Sequence, residues 1–466
     1  MILTQNSKKL NTKAKFCANN ISSNVNFTFI ECFKNKIGFK TLLEKSVSYN
    51  KHHNAKHTTG SILDFIIDSS ILGFSRFSHM EDLRNDSTYQ EIKGVPIPSE
   101  TTCRTLLTTL PENTCEELRT LNMELLNLQA LNEEPREIMI DFDDTVCTVF
   151  GSQEGSVVGY NPRYKGRPSF KEKIAMISGT NELLNVTLEK GNHHSNHNFL
   201  DFLKNVIASL PKKWVLKRIR LDKGFFDEKL FNFCEENCIE YVVKAKMYNS
   251  LKSAVNYVEH LPQYYAWDEI NSIYSVTEIV MPLPKWEKAR RFVIIRKRIK
   301  TSSTQLSLYD DEFQYNYQAI VTNIDDLEAR EVFSDYNKRC NVENKIDDLK
   351  TGFYFDQNSL LNKKANELFL LLKMIAYNLQ NWFKTSIMPE EFKQSEINTL
   401  RRVFFKVPGN LSGSGRYRHI KFAINKRLEK IICFVNKRLN NFTLQKKKKK
   451  KSIFKVKKLF ITIKGI

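Results

Sequence analysis

The chain has 466 residues, 41% of them hydrophobic and 11% aromatic, which is enough apolar material for two or three globular domains and argues against disorder. No stretch is long and apolar enough to span a bilayer, and the opening MILTQNSKKLNTKAKF has no basic segment leading into an apolar core, so export is not expected. The formal net charge is +20, but from residue 401 onward 21 Lys and Arg face one acid, Glu429, so the first 400 residues are neutral. The affinity for polyanions that a basic chain implies therefore belongs to the tail alone.

Up to about residue 135 the pattern is mostly helical. TTGSILDFIIDSSILGFSRF carries apolar residues at helical spacing, with Gly73 as the terminator. Pro98 stops the preceding segment, and Ser99 or Thr101 can cap a helix running to Leu110. A short helix after a Gly/Pro turn suits DNA recognition, and it equally suits ordinary helix packing. From Glu137 the period changes, and EIMIDF, GSVVGY and EKIAMISG read as short strands. SNHNFLDFLKNVIASL is an amphipathic helix, WVLKRIRLD a strand, FDEKLFNFCEEN a helix and EYVVKAK a strand, which together make an α/β unit. Strand and turn signals, YSVTEIVMPLP and RRFVIIRKRIK, fill a β-rich block from Met247 to about Tyr315. Helices return from Leu327, and NELFLLLKMIAYNLQNWF is apolar enough that one face must be fully buried. The expected organisation is a helical segment, 1–135, then α/β from 136–246, a β-rich insertion at 247–313, a second α/β part at 314–400, and a basic tail at 401–466.

The chemistry concentrates first in REIMIDFDDTV, where an apolar run leads into Asp141, Asp143 and Asp144. If the strand continues, Asp141 and Asp143 share a face and Asp144 points away. Clustered carboxylates repel unless a proton or cation sits among them, and Mg²⁺ is the economical partner. The stretch resembles the D-x-D-x-T signature of the haloacid dehalogenase phosphatases, in which Asp141 would be the nucleophile and Asp143 the acid/base. That family's later acidic pair has no counterpart in order, since NIDDLEAR lacks the preceding Gly-Asp, and about 135 residues come before the motif. A second set of acids comes from distant segments. RLDKGFF puts Asp222 at a strand end, and YNKRCNVENKIDDLK supplies Tyr336, Arg339, Glu343 and Lys350. On one helix the first three would share a face with Lys350 close to it, offering a carboxylate beside groups that grip a phosphodiester backbone. A solvated charged helix would tolerate the same face.

These residues, with FGSQEGSVVGYNPRYKGRPSF, GNHHSNHNF, YVVKAK, ANELFLLLKMIAYNL and GNLSGSGRYR, resemble the DDE transposases of bacterial insertion sequences. The group is the one with the Y-x2-R-x3-E-x6-K signature and a β-rich insertion, and the likeness runs from about Gly38 to Arg418. It implies an α/β fold: a ribonuclease H-like catalytic domain interrupted by a β-rich insertion and preceded by a mostly helical N-terminal domain, which would bind DNA ends. It implies Asp143, Asp222 and Glu343 as catalytic acids and metal ligands for two Mg²⁺ ions, with Mn²⁺ able to substitute. Arg339 and Lys350 would bind phosphates and Tyr336 the terminal nucleotides, while Asp141 would be a supporting acid. The implied activity is hydrolysis at element ends followed by 3′-hydroxyl strand transfer. The implied partners are double-stranded DNA at terminal inverted repeats and target sites, and a second copy in the synaptic complex. The implied location is cytoplasmic, on bacterial DNA, with no membrane partner. An inactive, DNA-binding relic is the alternative.

Other polar residues read less sharply. Arg163, Lys165 and Arg167, or the RKRIK run, suit either DNA backbone or a solvated strand. His193, His194 and His197 in GNHHSNHN suit hydrogen bonds to an acid or phosphate as well as a metal. Trp267 and Trp286 favour core packing over base stacking. Cys234 and Cys238 lack the partners of a zinc site. The lysine run at 446–451 suits either added DNA affinity or a dispensable extension.

Overall fold

The computed structural model describes residues 2–4, 10–13, 21–74, 76–261, 265–300, 313–414 and 417–444. The lysine run at 446–451 and residues 301–312 of the insertion lie outside the described residues. The chain opens on a hairpin of β1 (Ile2–Thr4) and β2 (Leu10–Lys13), then β3 (Ile21–Ser22). Seven helices follow: α1 (Phe27–Lys36), α2 (Phe39–Ser46), α3 (Thr59–Ile71), α4 (Phe77–Arg84), α5 (Ser87–Lys93), α6 (Glu100–Thr109) and α7 (Thr114–Leu131). Side-chain caps set the starts of α3, α5 and α6. Thr58 accepts from Ser61 N at 3.1 Å to begin α3, and Ser99 accepts from Thr102 N at 3.2 Å to begin α6. Gly73, at φ +83°, stands just past the end of α3 as its terminator. The α6 helix buries Cys103, Leu106 and Leu107 in the core, the packing alternative for that segment.

The α/β part contains β4 (Arg136–Thr148), β5 (Val157–Val158), β6 (Pro168–Ile177), β7 (Leu183–Lys190), α8 (Phe199–Ala208), β8 (Trp214–Leu221), α9 (Glu228–Glu236) and β9 (Glu240–Lys244). Next come α10 (Asn249–His260), β10 (Asp268–Glu269), β11 (Tyr274–Met281), β12 (Arg290–Lys300) and β13 (Phe313–Thr322). One sheet holds all ten strands in the order β10-β11-β12-β13-β9-β8-β4-β6-β5, with β7 also paired to β6. Within it, β4, β8 and β9 run parallel, while β6 lies antiparallel beside β4 and β7 antiparallel beside β6. The run β7-β6-β4-β8-β9 is a ribonuclease H-like core. The insertion does not stand apart from it, because β13 pairs antiparallel with β9 and carries the β10–β12 strands on as an extension of the same sheet.

Several elements differ from the sequence expectation, β7 and α10 among them. The strand β7 lies in a stretch given no element, and α10 is helical where strand and turn were expected. The buried residues of α10 are Leu251, Val255 and Val258, a helical spacing set among mostly polar neighbours. Trp267 and Trp286 pack against the sheet's core, as favoured from the sequence.

The chain ends with α11 (Ala329–Asn337), α12 (Cys340–Phe353), α13 (Lys363–Ile387), α14 (Ile397–Leu400), the hairpin β14 (Gly409–Ser414) and β15 (Tyr417–Phe422), and α15 (Lys426–Asn441). Buried residues occur all around α13, not on one face. A single hydrophobic cluster joins α1, α3, α6 and α7 to α13, to the β6 and β7 face of the sheet, and to α15. It crosses residue 135 without a break. The polar residues that α13 buries are stitches: Asn378 donates to Asn122 Oδ1 at 2.7 Å and to Leu183 O at 2.8 Å, and accepts from Leu183 N at 2.9 Å. The basic tail also begins inside the body. Phe404 and Phe405 are buried, and Arg401 donates to Ile71 O at 2.8 Å and Ser70 O at 2.7 Å. The opposite face of the sheet is covered by α8, α9 and α10, and α11 packs on the extension. No helix among the described residues is long and apolar enough to cross a membrane.

Candidate active site

The middle of the sheet puts Asp143 and Asp222 within electrostatic reach of each other and of the Arg339–Glu343 turn. In β4 the alternation holds through the acidic cluster: Ile138, Ile140 and Phe142 enter the core under α8 and α9, while Asp141 and Asp143 point to the other face. Parallel pairing sets Asp141 opposite Arg220 of β8. Both side chains are fully buried and form a two-pronged pair, Nε to Oδ1 at 2.6 Å and Nη2 to Oδ2 at 2.8 Å. Arg220 also donates to Ser178 Oγ at 2.6 Å and, through Nη1, to Asp335 O at 2.9 Å. One guanidinium thus ties β4, β8 and the last turns of α11. Asp143 follows Asp141 by two residues, Asp222 follows Arg220 by two, and Tyr336 adjoins Asp335. Every catalytic candidate is placed relative to this knot.

Asp222 caps the short turn Lys223–Phe225, accepting from Gly224 N at 2.7 Å. Glycine is required there because a Cβ would come within 2.7 Å of Ser195 Oγ. Arg339 binds Asp143 Oδ1 through Nη2 at 2.8 Å and Glu343 Oε1 through Nη1 at 3.1 Å, while its Nε is buried without a hydrogen-bond partner. Burial pushes the Asp143 carboxyl up to about 7; Arg339 opposes this, and Asp222 and Asp144 add to it. Burial also lifts the Tyr336 phenol to about 12, with Arg339 opposing and the acids of the site adding. Glu343 lies in the first turn of α12, where the helix dipole favours a carboxylate.

An open cleft of about 1110 Å³ lies beside these groups. Asp144 and Asp222 line it, with His194, Lys350 and the basic side chains Arg163, Lys171 and Lys223. Lys171 stands 3.5 Å from Asp144, and burial first, then Lys246 and Lys171, lowers the His194 pKa. Asp143, Arg339 and Glu343 are outside the lining, so the acid at the cleft wall of β4 is Asp144.

The matching protein-family model is the transposase DDE domain, group 1, over residues 4–444. The chain belongs to that family. Among solved structures, this DDE-domain chain is similar to a piggyBac transposase synaptic complex with hairpin DNA, at 10% identity over 84% of this chain and 81% of that one, with a TM-score of 0.44. It is also similar to the Drosophila P element transposase strand transfer complex, at 13% identity over 49% of this chain and 50% of that one, with a TM-score of 0.23. No curated protein gives a significant match.

Among the described residues, two groups bring three possible metal-binding atoms within 4.8 Å of one another, Glu31, Asp64 and Asp68, and Glu189, His193 and His197; Asp143, Asp222 and Glu343 do not converge that closely. In the first, Lys34 and Lys93 already supply the cations. Lys34 Nζ lies 2.6 Å from Asp64, and Lys93 Nζ lies 2.6 Å from Asp64 and 2.9 Å from Asp68. That group is a buried ion-pair network between α1, α3 and α5.

The sequence expected Tyr336, Arg339 and Glu343 on one helix face, but α11 ends at Asn337 and α12 begins at Cys340. Between them the hydrogen bonds tighten to a three-residue step, Arg339 N to Tyr336 O at 2.9 Å and Val342 N to Arg339 O at 2.9 Å. The step lets Asp335 turn back to Arg220 while Arg339 reaches Asp143. Lys350, two turns on, reaches the cleft. Arg163 also lines the cleft, and Arg167 is exposed beside it over the Phe150 ring at 5.6 Å. Sequence reasoning missed Arg220 and Asp335; the only signal was an arginine inside the apolar strand WVLKRIRL.

Proposed function

We propose that the chain is a DDE transposase of the insertion-sequence type, cutting phosphodiester bonds at element ends and joining the released 3′-hydroxyl to target DNA. The observation that supports this reading is the Arg220 knot, two residues from Asp143 on one strand and from Asp222 on the next, with Arg339 paired to both Asp143 and Glu343. Asp143, Asp222 and Glu343 would hold the Mg²⁺ ions, with Mn²⁺ able to substitute. The fit rests on the donor set: all oxygen, with one carboxyl driven towards protonation by crowding, a strain a hard divalent cation relieves. A cation held by these acids would supply activation of the nucleophile and stabilisation of the leaving oxygen. Arg339 neutralises the acids between turnovers, and its planar fork suits a phosphate. Lys350, Arg163 and Arg167 hold the backbone of double-stranded DNA along the cleft, and Tyr336 braces the terminal nucleotides. Two ends must be held for a cut-and-paste reaction, so the working unit is a homodimer on paired inverted repeats.

The phosphatase reading requires a free Asp141, and that carboxylate is buried with both oxygens on Arg220. The test is a gel assay of Mg²⁺-dependent cleavage and joining on the inverted repeats that flank the gene. Asp143→Asn, Asp222→Asn and Glu343→Gln are each expected to abolish both steps while DNA binding persists. Cleavage that survives one of these changes removes that acid from the site. Binding without cleavage by the unaltered chain identifies a relic.

A further inference from the structure

We propose that Glu189, His193 and His197 form a zinc-binding site, separate from the three acids. Glu189 ends β7, and the GNHHSNHN turn brings both imidazoles back over it. His193 Nδ1 lies 2.9 Å from Glu189 Oε2, and the His193 and His197 rings sit with centroids 3.9 Å apart. One ligand atom from each of the three residues lies within 4.8 Å of the others. A single histidine would satisfy the glutamate by hydrogen bonding; the second imidazole, tilted at 49° to the first and with its Nε2 3.2 Å from Asn198 Nδ2, takes no part in that bond.

The donors decide the class of ion. Two imidazoles and a carboxylate match zinc and its first-row neighbours, whereas Mg²⁺ takes oxygen ligands. Three protein ligands leave a fourth position for water. Lys173 lies 3.8 Å from Glu189 Oε1 and donates to His197 O, which leaves Oε2 on the imidazole side. The side chains on the site's edge are partly exposed, so an ion can enter from solvent.

The loop so closed is tied to the Asp222 turn. Ser195 packs against Gly224, and Asn196 donates to Asp227 Oδ2 at 2.6 Å, at the cap of α9. His194 faces the cleft. Zinc at this point would fix the loop that buttresses Asp222. The site stands on its own geometry, and only its effect on strand cleavage rests on the transposase reading.

The test uses the full chain, stripped with a chelator, reloaded with Zn²⁺ and dialysed. Metal analysis is expected to find one Zn²⁺ per chain that excess Mg²⁺ does not displace. X-ray absorption of that sample is expected to show histidine scattering at about 2.0–2.1 Å. His193→Gln and His197→Gln are expected to lose the bound zinc while keeping the unaltered circular dichroism spectrum. A wild-type chain that retains no zinc, a first shell of oxygen alone, or equal retention in both variants overturns the proposal. The wild-type spectrum decides the matter even if a variant fails to fold.

Discussion

Asp141→Asn is the sharpest probe of the Arg220 knot. The substitution keeps size and shape but removes the charge and turns one acceptor into an amide donor facing Arg220 Nη2 or Nε. Both partners are fully buried, so water cannot replace what is lost. Breaking a buried ion pair by removing one partner costs about 3–5 kcal/mol. Asp335 stays within 3.4 Å of Arg220, but it is shared with Arg218 at 3.1 Å and compensates only in part. The expected loss is therefore about 3 kcal/mol, the lower end of that range. Urea unfolding read by tryptophan fluorescence measures it, and the double variant Asp141→Asn with Arg220→Met supplies the control. Removing both charges is expected to recover part of the loss, because the isolated cation is the costly species. A loss below about 1 kcal/mol, or no recovery in the double variant, refutes the idea that this pair pins β4 to β8. Phosphomonoesterase activity lost in Asp141→Asn at unchanged stability refutes it in another way, by making Asp141 the reacting group.

Gly191→Ala would bring a Cβ to 2.3 Å from Ser169 Oγ and 2.4 Å from Ser169 O, so it is expected to destabilise the chain by about 1–3 kcal/mol in the same urea assay. Burial alone would raise the Asp64 carboxyl, but Lys34 and Lys93 outweigh it and hold it at about 2, below the ordinary 3.8. A depressed acid stabilises the fold above its unfolded value, and that stability is lost as pH falls from about 4 towards 2. Urea midpoints are expected to drop over that window and to drop less steeply in Asp64→Asn; equal slopes refute the pairing. Arg163→Ala and Arg167→Ala are each expected to weaken DNA binding irrespective of sequence. Each should reduce the slope of log affinity against log salt by about 1, measured by fluorescence anisotropy.

Strand and helix were legible where the period was clean. The β4 strand, the α8 and α9 helices and the strand ahead of Asp222 follow from alternation or helical spacing, and so does the helical beginning. The α10 helix was not, because its three buried residues are diluted by polar ones and flanked by strand-forming segments. Asp222 and Glu343 were legible as acids at a strand end and a helix start, while Asp143 lies inside β4, which runs on to Thr148. Their supports were not legible, since a buried Arg220 differs from a solvated arginine only through partners far away in the chain. Residues 401–444 illustrate the same limit: charge describes what a segment presents to solvent, and Phe404 and Phe405 anchor this one to the core regardless.

The α13 helix carries a consequence for how copies of such a gene decay. It is encoded in the last quarter of the chain, yet it is the most extensive partner of α3 in the first quarter and shares one hydrophobic cluster with the helices around it. A frameshift or deletion ahead of residue 363 leaves those helices with their apolar faces open to solvent. Truncated copies should therefore be cleared as misfolded chains and should not persist as folded fragments.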